Sequence, residues 1–347
     1  MATRSGRRLM GVAAAVGLGL VATALAMRGG PPAMPGPAPA GEAAVDLEPP
    51  GTTVRTDGRA GPQTPAFDSA RAWDDLGTIV SIGPRPAGSP GIRQLRAYIT
   101  RQMSAIGLTV QEQAFTASTP RGDVEMANLI VRLPGRRPEK ILITGHYDTK
   151  PLHEVTFVGA NDGGSSAAFL VELARALKDH PRELTWELVW FDGEEAFCAN
   201  WDDCRTPDGG PDNTYGSRHY VKAAVEAGQI KAVRAMILVD MIAERDARFF
   251  RESRSTGWLK DIIWSTAGDL GHRATFPELE TLVEDDHWAF LDAGVDAVDI
   301  IDLDYGPGMS WWHTAHDTMD KLSARSLQTV GDVLVASLPQ IEAHLLR

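Results

Sequence analysis

Two adjacent glutamates, Glu194 and Glu195, stand where the apolar run Trp186–Trp190 (WELVW) gives way to FDGEEAF at Phe191–Phe197. Neighbouring carboxylates repel unless one is protonated or a cation lies between them, and a divalent metal is the simplest such cation. On this stretch alone, two solvated loop glutamates are the alternative. Four further segments share its character. ILITGHYDTK supplies His146 and Asp148 beyond an apolar run, and FVGANDGGSS supplies Asp162 in a Gly/Ser loop. ILVDMI supplies Asp240, and WWHTAHDT supplies His313, His316 and Asp317. Carboxylate and imidazole without thiolate suit zinc in a catalytic site, where one coordination position stays open. One such segment is weak; five in one chain argue for a metal centre.

These groups need a scaffold that brings chain-distant segments together. Trp186–Phe191 is short, apolar and closed by Asp-Gly, which predicts a buried strand and a tight turn. Similar runs predict strands at Leu108–Phe115, Ala127–Leu133, Lys140–Thr144, Ala235–Asp240 and Val295–Asp302, with a turn over Gly135–Glu139. Helical spacing predicts helices at Ser69–Ile82, Phe169–Leu177, Tyr215–Ala227, Trp258–Gly268 and Ser323–His344. Ser89 followed by Pro90 reads as an N-cap and first helical position, opening a helix to about Ile106. Strands alternating with helices predict an α/β fold: a mixed, mostly parallel central sheet flanked by helices on both faces. Such sheets place their ligands beyond the carboxyl ends of the strands.

The 347 residues are 43% hydrophobic, enough for one large domain. Residues 1–26 read as a signal peptide: Arg4, Arg7 and Arg8, an uncharged run, then Ala24-Leu25-Ala26. The alternative is an uncleaved membrane anchor over residues 9–27, long enough to span a bilayer. Residues 27–66 form a Pro/Gly/Ala-rich tether, since Gly29–Pro65 holds nine of the 22 prolines and cannot bury a core. Residues 67–347 are the expected catalytic domain, exported to the periplasm or outside the cell. Removing three arginines with the leader moves the formal net charge from −12 to −15. That balance argues against nucleic acid as partner, and contact with a membrane is expected only through an uncleaved leader. Cys198 and Cys204, six residues apart in an exported chain, suit one disulfide.

In order, GHYD, GANDGG, DGEEAF, LVD and WHT resemble the M28 zinc peptidase superfamily. Within it, the chain resembles the glutaminyl-peptide cyclotransferases. SPG at Ser89–Gly91, HYDTK, FVGAND, ELARAL at Glu172–Leu177, YGSRH at Tyr215–His219, EDDHWAF at Glu284–Phe290 and WHT at Trp312–Thr314 carry that likeness. It spans roughly Phe67 to Leu345 and implies a zinc aminopeptidase-like fold.

The resemblance implies Asp162, Glu195 and His313 as ligands of one zinc, with Glu194 as the acid/base. Asp240 and Asp285 would form a hydrogen-bonded carboxylate pair beside it, Asp285 being preferred to Asp286. Trp312 and Trp201 would wall the substrate pocket, although Trp201 lies one residue beyond its family position. Asp148 would orient His146. In two-zinc aminopeptidases, His146 and Asp240 match ligands of a second metal, so two ions are the alternative. His219, His287 and His316 read as scaffold or rim groups. The reaction implied is conversion of the N-terminal glutamine of a peptide or protein to pyroglutamate, with release of ammonia. An aminopeptidase and an inactive peptide-binding domain are the alternatives, and the oligomeric state is left open.

Overall fold

The computed structural model describes residues 66–347. The leader and the tether predicted above lie outside the described residues, save for the tether's final residue. Among the described residues, no helix is long and apolar enough to cross a membrane.

In chain order the elements are α1 (Ser69–Ser81), α2 (Pro90–Ala105), β1 (Val110–Thr119), β2 (Gly122–Leu133) and β3 (Arg137–His146). Then follow α3 (Gly164–Leu177), β4 (Leu184–Phe191), α4 (Tyr215–Glu226) and β5 (Val233–Asp240). The two-residue strands β6 (Arg251–Glu252) and β7 (Glu280–Thr281) enclose α5 (Gly257–Asp269). The chain closes with α6 (His287–Asp292), β8 (Asp296–Ile301) and α7 (Ala324–Leu345).

The main sheet runs β1-β2-β4-β3-β5-β8. Strands β4, β3, β5 and β8 are mutually parallel, while β1 and β2 form an antiparallel hairpin on one edge. Side chains alternate across the sheet, as a two-residue period requires. Ile141, Ile143, Trp186, Leu188, Ile237 and Val239 pack on one face against α1, α2, α3, α5 and α7. Leu142, Val189, Phe191, Met236 and Leu238 face the other side with Tyr220 of α4 and Phe290 of α6. Every residue of β4 is buried, which is why its sequence lacks alternation: a central parallel strand is covered on both faces. The indole N–H of Trp190 donates to the Ala167 carbonyl at 3.0 Å, pinning β4 to α3.

Local chemistry sets several boundaries. The Ser89 hydroxyl accepts from Ile92 N at 3.1 Å with Pro90 at the first turn, as the sequence indicates. The Asp68 carboxylate accepts from Ala70 N and Arg71 N and opens α1. β3 starts at Arg137, inside the predicted turn, because Arg137 pairs with Leu184 across a register shift. α3 starts at Gly164 rather than Phe169, since small residues let its first turn sit tightly against the sheet. A Cβ on Gly163, at φ +71°, would lie 2.2 Å from the Asp148 carbonyl oxygen, so only glycine fits there. Helix α6 and the β6–β7 pair were not anticipated.

Candidate active site

β3, β4 and β5 are neighbours and parallel, so their carboxyl ends deliver His146, the Asp192–Glu195 turn and Asp240 to one edge of the sheet. The turn after β4 depends on Gly193 at φ +69°, where a Cβ would lie 2.6 Å from Met126 Sδ. The Asp162 loop arrives from the start of α3, Asp285 from the start of α6, and His313 from the loop between β8 and α7.

There Asp162 is shared. One carboxylate oxygen, Oδ1, lies 3.2 Å from His146 Nε2, and the other, Oδ2, lies 3.3 Å from His313 Nε2. His313 Nε2 is also 3.1 Å from Glu195 Oε1, and His146 Nε2 is 3.1 Å from Asp240 Oδ1. Two triads result, Asp162–Glu195–His313 and His146–Asp162–Asp240, each with its donor atoms within 4.8 Å of one another. Asp162 Oδ2 and Glu195 Oε2 are buried without a hydrogen-bond partner among the described residues. Orphaned carboxylate oxygens beside imidazole nitrogens are the donor set of a zinc site, so the residues fit that ion. His313 has φ +52° and Met241, next to Asp240, has φ +49°. That is strained backbone for side chains of this size, of the kind concentrated at functional sites.

Charge is concentrated in this site. Burial pushes the Glu194 carboxyl well up, against the pull of His146, and the Glu195 and Asp285 carboxylates push it further. Burial and Asp240 do the same to Asp285. Burial would also raise Asp162, but the imidazoles of His146 and His313 beside its two oxygens overcome it and hold that carboxyl below its usual range. His313 responds in kind: burial lowers it, yet Glu195 and Asp162 carry it to about 9. In the metal-free chain, therefore, protons on imidazole and glutamate do the neutralising that a cation would do.

Each residue singled out from sequence has a definite place. Glu194, Asp240, Asp285, Asp162, Glu195 and His313 all line one cavity of about 400 Å³, together with Trp201 and Trp312. Trp312 is 37% exposed and stacks on the His313 ring, centroids 3.9 Å apart. Asp285 faces the cavity while Asp286 is wholly buried behind it. Asp285 Oδ1 accepts from Asp286 N at 2.5 Å; the expected hydrogen bond to Asp240 is not among the contacts of the described residues, and the two acids instead repel, Asp240 helping to push the Asp285 carboxyl up. Asp148 Oδ1 stands 3.5 Å from His146 Nδ1, but its hydrogen bonds come from Glu194 N at 3.1 Å and Glu195 N at 3.3 Å. It braces the glutamate turn as well as neighbouring the imidazole. His287 is buried against Glu252 at 3.1 Å, His219 stacks on Phe115, and His316 is exposed.

Three further residues shape the site. Asp317 accepts from Asn161 N, Asp162 N and the Tyr305 hydroxyl at 2.8, 3.1 and 2.6 Å. Arg85, fully buried, donates to the carbonyls of Val158 at 2.7 Å and Gly159 at 3.0 Å. Together they clamp the loop that presents Asp162. Lys150, at the end of HYDTK, donates to the Ala196 carbonyl at 3.0 Å with its ammonium 3.7 Å from Glu195 Oε2. Asp317 and Lys150 lie in segments the sequence singles out and Arg85 does not, and nothing local marks the partner of any of them. Because Asp317 fixes the backbone of the candidate ligand Asp162, Asp317→Ala is expected to weaken zinc binding by about ten- to a hundredfold. Competition with a calibrated chelator measures this, and unchanged affinity would refute the clamp.

Cys198 and Cys204 are disulfide-bonded. The loop they close contributes Ala199, Asn200, Trp201 and Asp202 to the cavity wall. Replacing both cysteines by serine is expected to raise KM several-fold and lower kcat far less, because the wall loosens while the floor stays. Steady-state kinetics checks the split; an equal loss in kcat would contradict it.

The model of peptidase family M28 matches residues 128–338. A crystal structure of a glutaminyl cyclase from an Acidobacteriales bacterium superposes with a TM-score of 0.75 at 37% identity, covering 84% of this chain and all of that one. That of Fimbriiglobus ruber glutaminyl cyclase gives 0.69 at 30% identity, covering 80% and 98%. A bovine glutaminyl-peptide cyclotransferase-like protein is 28% identical over 304 residues, 79% of this chain and 76% of the relative.

Proposed function

The chain belongs to peptidase family M28 and to its glutaminyl cyclases, and on that footing we propose that it is a zinc-dependent glutaminyl-peptide cyclotransferase. It converts the N-terminal glutamine of peptides and proteins to pyroglutamate with release of ammonia. The observation that carries the reading is the position of Glu194. Its buried carboxyl lines the same cavity as the Asp162–Glu195–His313 triad, and Trp201 and Trp312 line that cavity too.

Asp162, Glu195 and His313 hold the zinc. Bound there, zinc supplies Lewis acidity to the γ-carbonyl of the substrate glutamine. Glu194 takes a proton from the attacking α-amine and returns one to the departing ammonia. A carboxyl raised by burial is suited to both halves of that exchange near neutral pH. Asp285 and Asp240 lie beside it with raised carboxyls of their own. One shared proton on this cluster steadies Glu194 as its charge changes. Trp201 and Trp312 exclude water and hold the glutamine side chain folded back on its own amine. The nucleophile is intramolecular, so near-attack geometry is the pocket's main contribution. Nothing in this scheme needs a water activated for hydrolysis.

A second reading has its own support: the His146–Asp162–Asp240 triad offers the donor atoms for a second ion, as a two-zinc aminopeptidase would need. One zinc with His146 and Asp240 unmetallated is the arrangement proposed here. We place the protein outside the cytosol, exported by residues 1–26, in keeping with its disulfide. Incubating the zinc-loaded protein with a Gln-initiated peptide tests the main reading. Mass spectrometry should show loss of ammonia alone, with about one zinc per chain by metal analysis. A peptide shortened by one residue, with two zincs, would establish the aminopeptidase instead.

A further inference from the structure

Two carboxylates at the cavity mouth take no part in the chemistry below. Asp202 sits on the disulfide-closed loop and Glu284 on the segment entering α6; both are exposed, and both line the cavity. Burial and the nearby charge of Asp202 raise the Glu284 carboxyl against the pull of Arg205 and Arg254, so the two acids share one patch of field. Around them are Trp201, Leu303 and Leu282, the last 65% exposed.

The cations nearby leave this patch open. Arg205 reaches Asp202 at 3.6 Å, but both side chains are more than half in water, where such a pair holds little. Arg254 pairs with Asp292 at 2.7 Å and lies over the Trp288 ring. Among the described residues, neither Lys nor Arg lines the cavity. Below, the orphaned buried oxygens of Asp162 and Glu195 mark the floor as the place where a ligand is gripped.

A peptide with its first side chain on that floor must leave through the mouth. Its second residue then passes between apolar surface and carboxylates. A long aliphatic stem carrying a cation matches that combination, stem on Trp201 and Leu282, charge toward Asp202 and Glu284. We infer that the mouth built by Asp202, Glu284 and Leu282 selects substrates with Lys or Arg directly after the N-terminal residue and disfavours Asp or Glu there. This rests on the cyclase reading.

The test uses the zinc-loaded protein and three C-terminally amidated peptides, Gln-Lys-Ala, Gln-Ala-Ala and Gln-Glu-Ala, with ammonia release as readout. At low ionic strength, kcat/KM for the Lys peptide should exceed that for the Glu peptide by about tenfold. About 0.5 M NaCl should bring the two close to parity. The double variant Asp202→Asn, Glu284→Gln should do the same at low salt, and Asp202→Lys should reverse the order. Parity in the unaltered protein, or a preference that the double variant leaves intact, overturns the inference. If none of the peptides is cyclised, the cyclase reading is what falls. The mouth is then judged by binding of the same peptides: tighter capture of the Lys peptide, lost in the double variant, upholds it, and equal affinities overturn it.

Discussion

Glu194→Gln is expected to lower kcat by about three orders of magnitude while leaving zinc content unchanged. The two adjacent glutamates look equivalent in sequence, but the structure gives them different neighbours. Glu195 Oε1 meets His313, and its other oxygen is buried 3.7 Å from the Lys150 ammonium. Glu194 lines the cavity without belonging to either ligand triad, so replacing its carboxylate by an amide removes a proton acceptor and spares the metal. The pH profile adds a second readout. Burial, with Glu195 and Asp285, holds the Glu194 carboxyl above the ordinary glutamate range. The acid limb of kcat/KM, where the base becomes ionised, should disappear from the residual activity of the variant. Loss of zinc in Glu194→Gln, or kcat within tenfold of the parent, would remove Glu194 from the reaction.

The strand ends were legible because chemistry and burial change abruptly there. WELVW stops at Asp-Gly and ILVD stops at Asp240, so both the strand and the group it delivers can be read from a few residues. The convergence of Asp162, Glu195 and His313 was legible only collectively, as five acidic or imidazole segments placed beyond apolar runs. What supports them was not. Asp317 meets the Asp162 loop across a large sequence separation, and Arg85 satisfies carbonyls seventy-odd positions away. No local pattern encodes either. Asp148 shows the same limit in a subtler form: its nearness to His146 was expected, but its bonds to Glu194 N and Glu195 N follow from how β3 and β4 pair. α6 is six residues long, too short for any periodicity to announce it, yet it sets which of Asp285 and Asp286 faces the cavity.

Glu195→Gln should have the opposite signature to Glu194→Gln: zinc lost, activity lost with it, and a characteristic change in how stability depends on pH. In the metal-free chain, burial raises the carboxyls of Glu195, Asp240, Glu194 and Asp285 above their unfolded values. His146 and His313 are raised too, because their carboxylate neighbours outweigh burial. Between the unfolded carboxylate range and these raised values, the folded chain holds more protons than the unfolded one, so stability falls as pH rises. His313 continues the trend from its unfolded value near 6.5 up to about 9. Asp162, held low, works the other way, but its contribution is complete above the ordinary aspartate range and is lost only as pH falls through its depressed value. Zinc reverses the logic, since it replaces those protons and binds more tightly as pH rises. The gap between zinc-loaded and chelator-treated protein should therefore be small at pH about 5.5 and widen toward pH about 8. It should reach about 2.7 kcal/mol when free zinc is about a hundredfold above its dissociation constant. Urea melts at the two pH values, with and without chelator, measure it. In Glu195→Gln the gap should close at both, because one of three ligands is gone and zinc no longer distinguishes the folded chain. A gap of equal size at both pH values would mean that protons and zinc do not compete for these side chains, and the assignment of Asp162, Glu195 and His313 as ligands would fall with it.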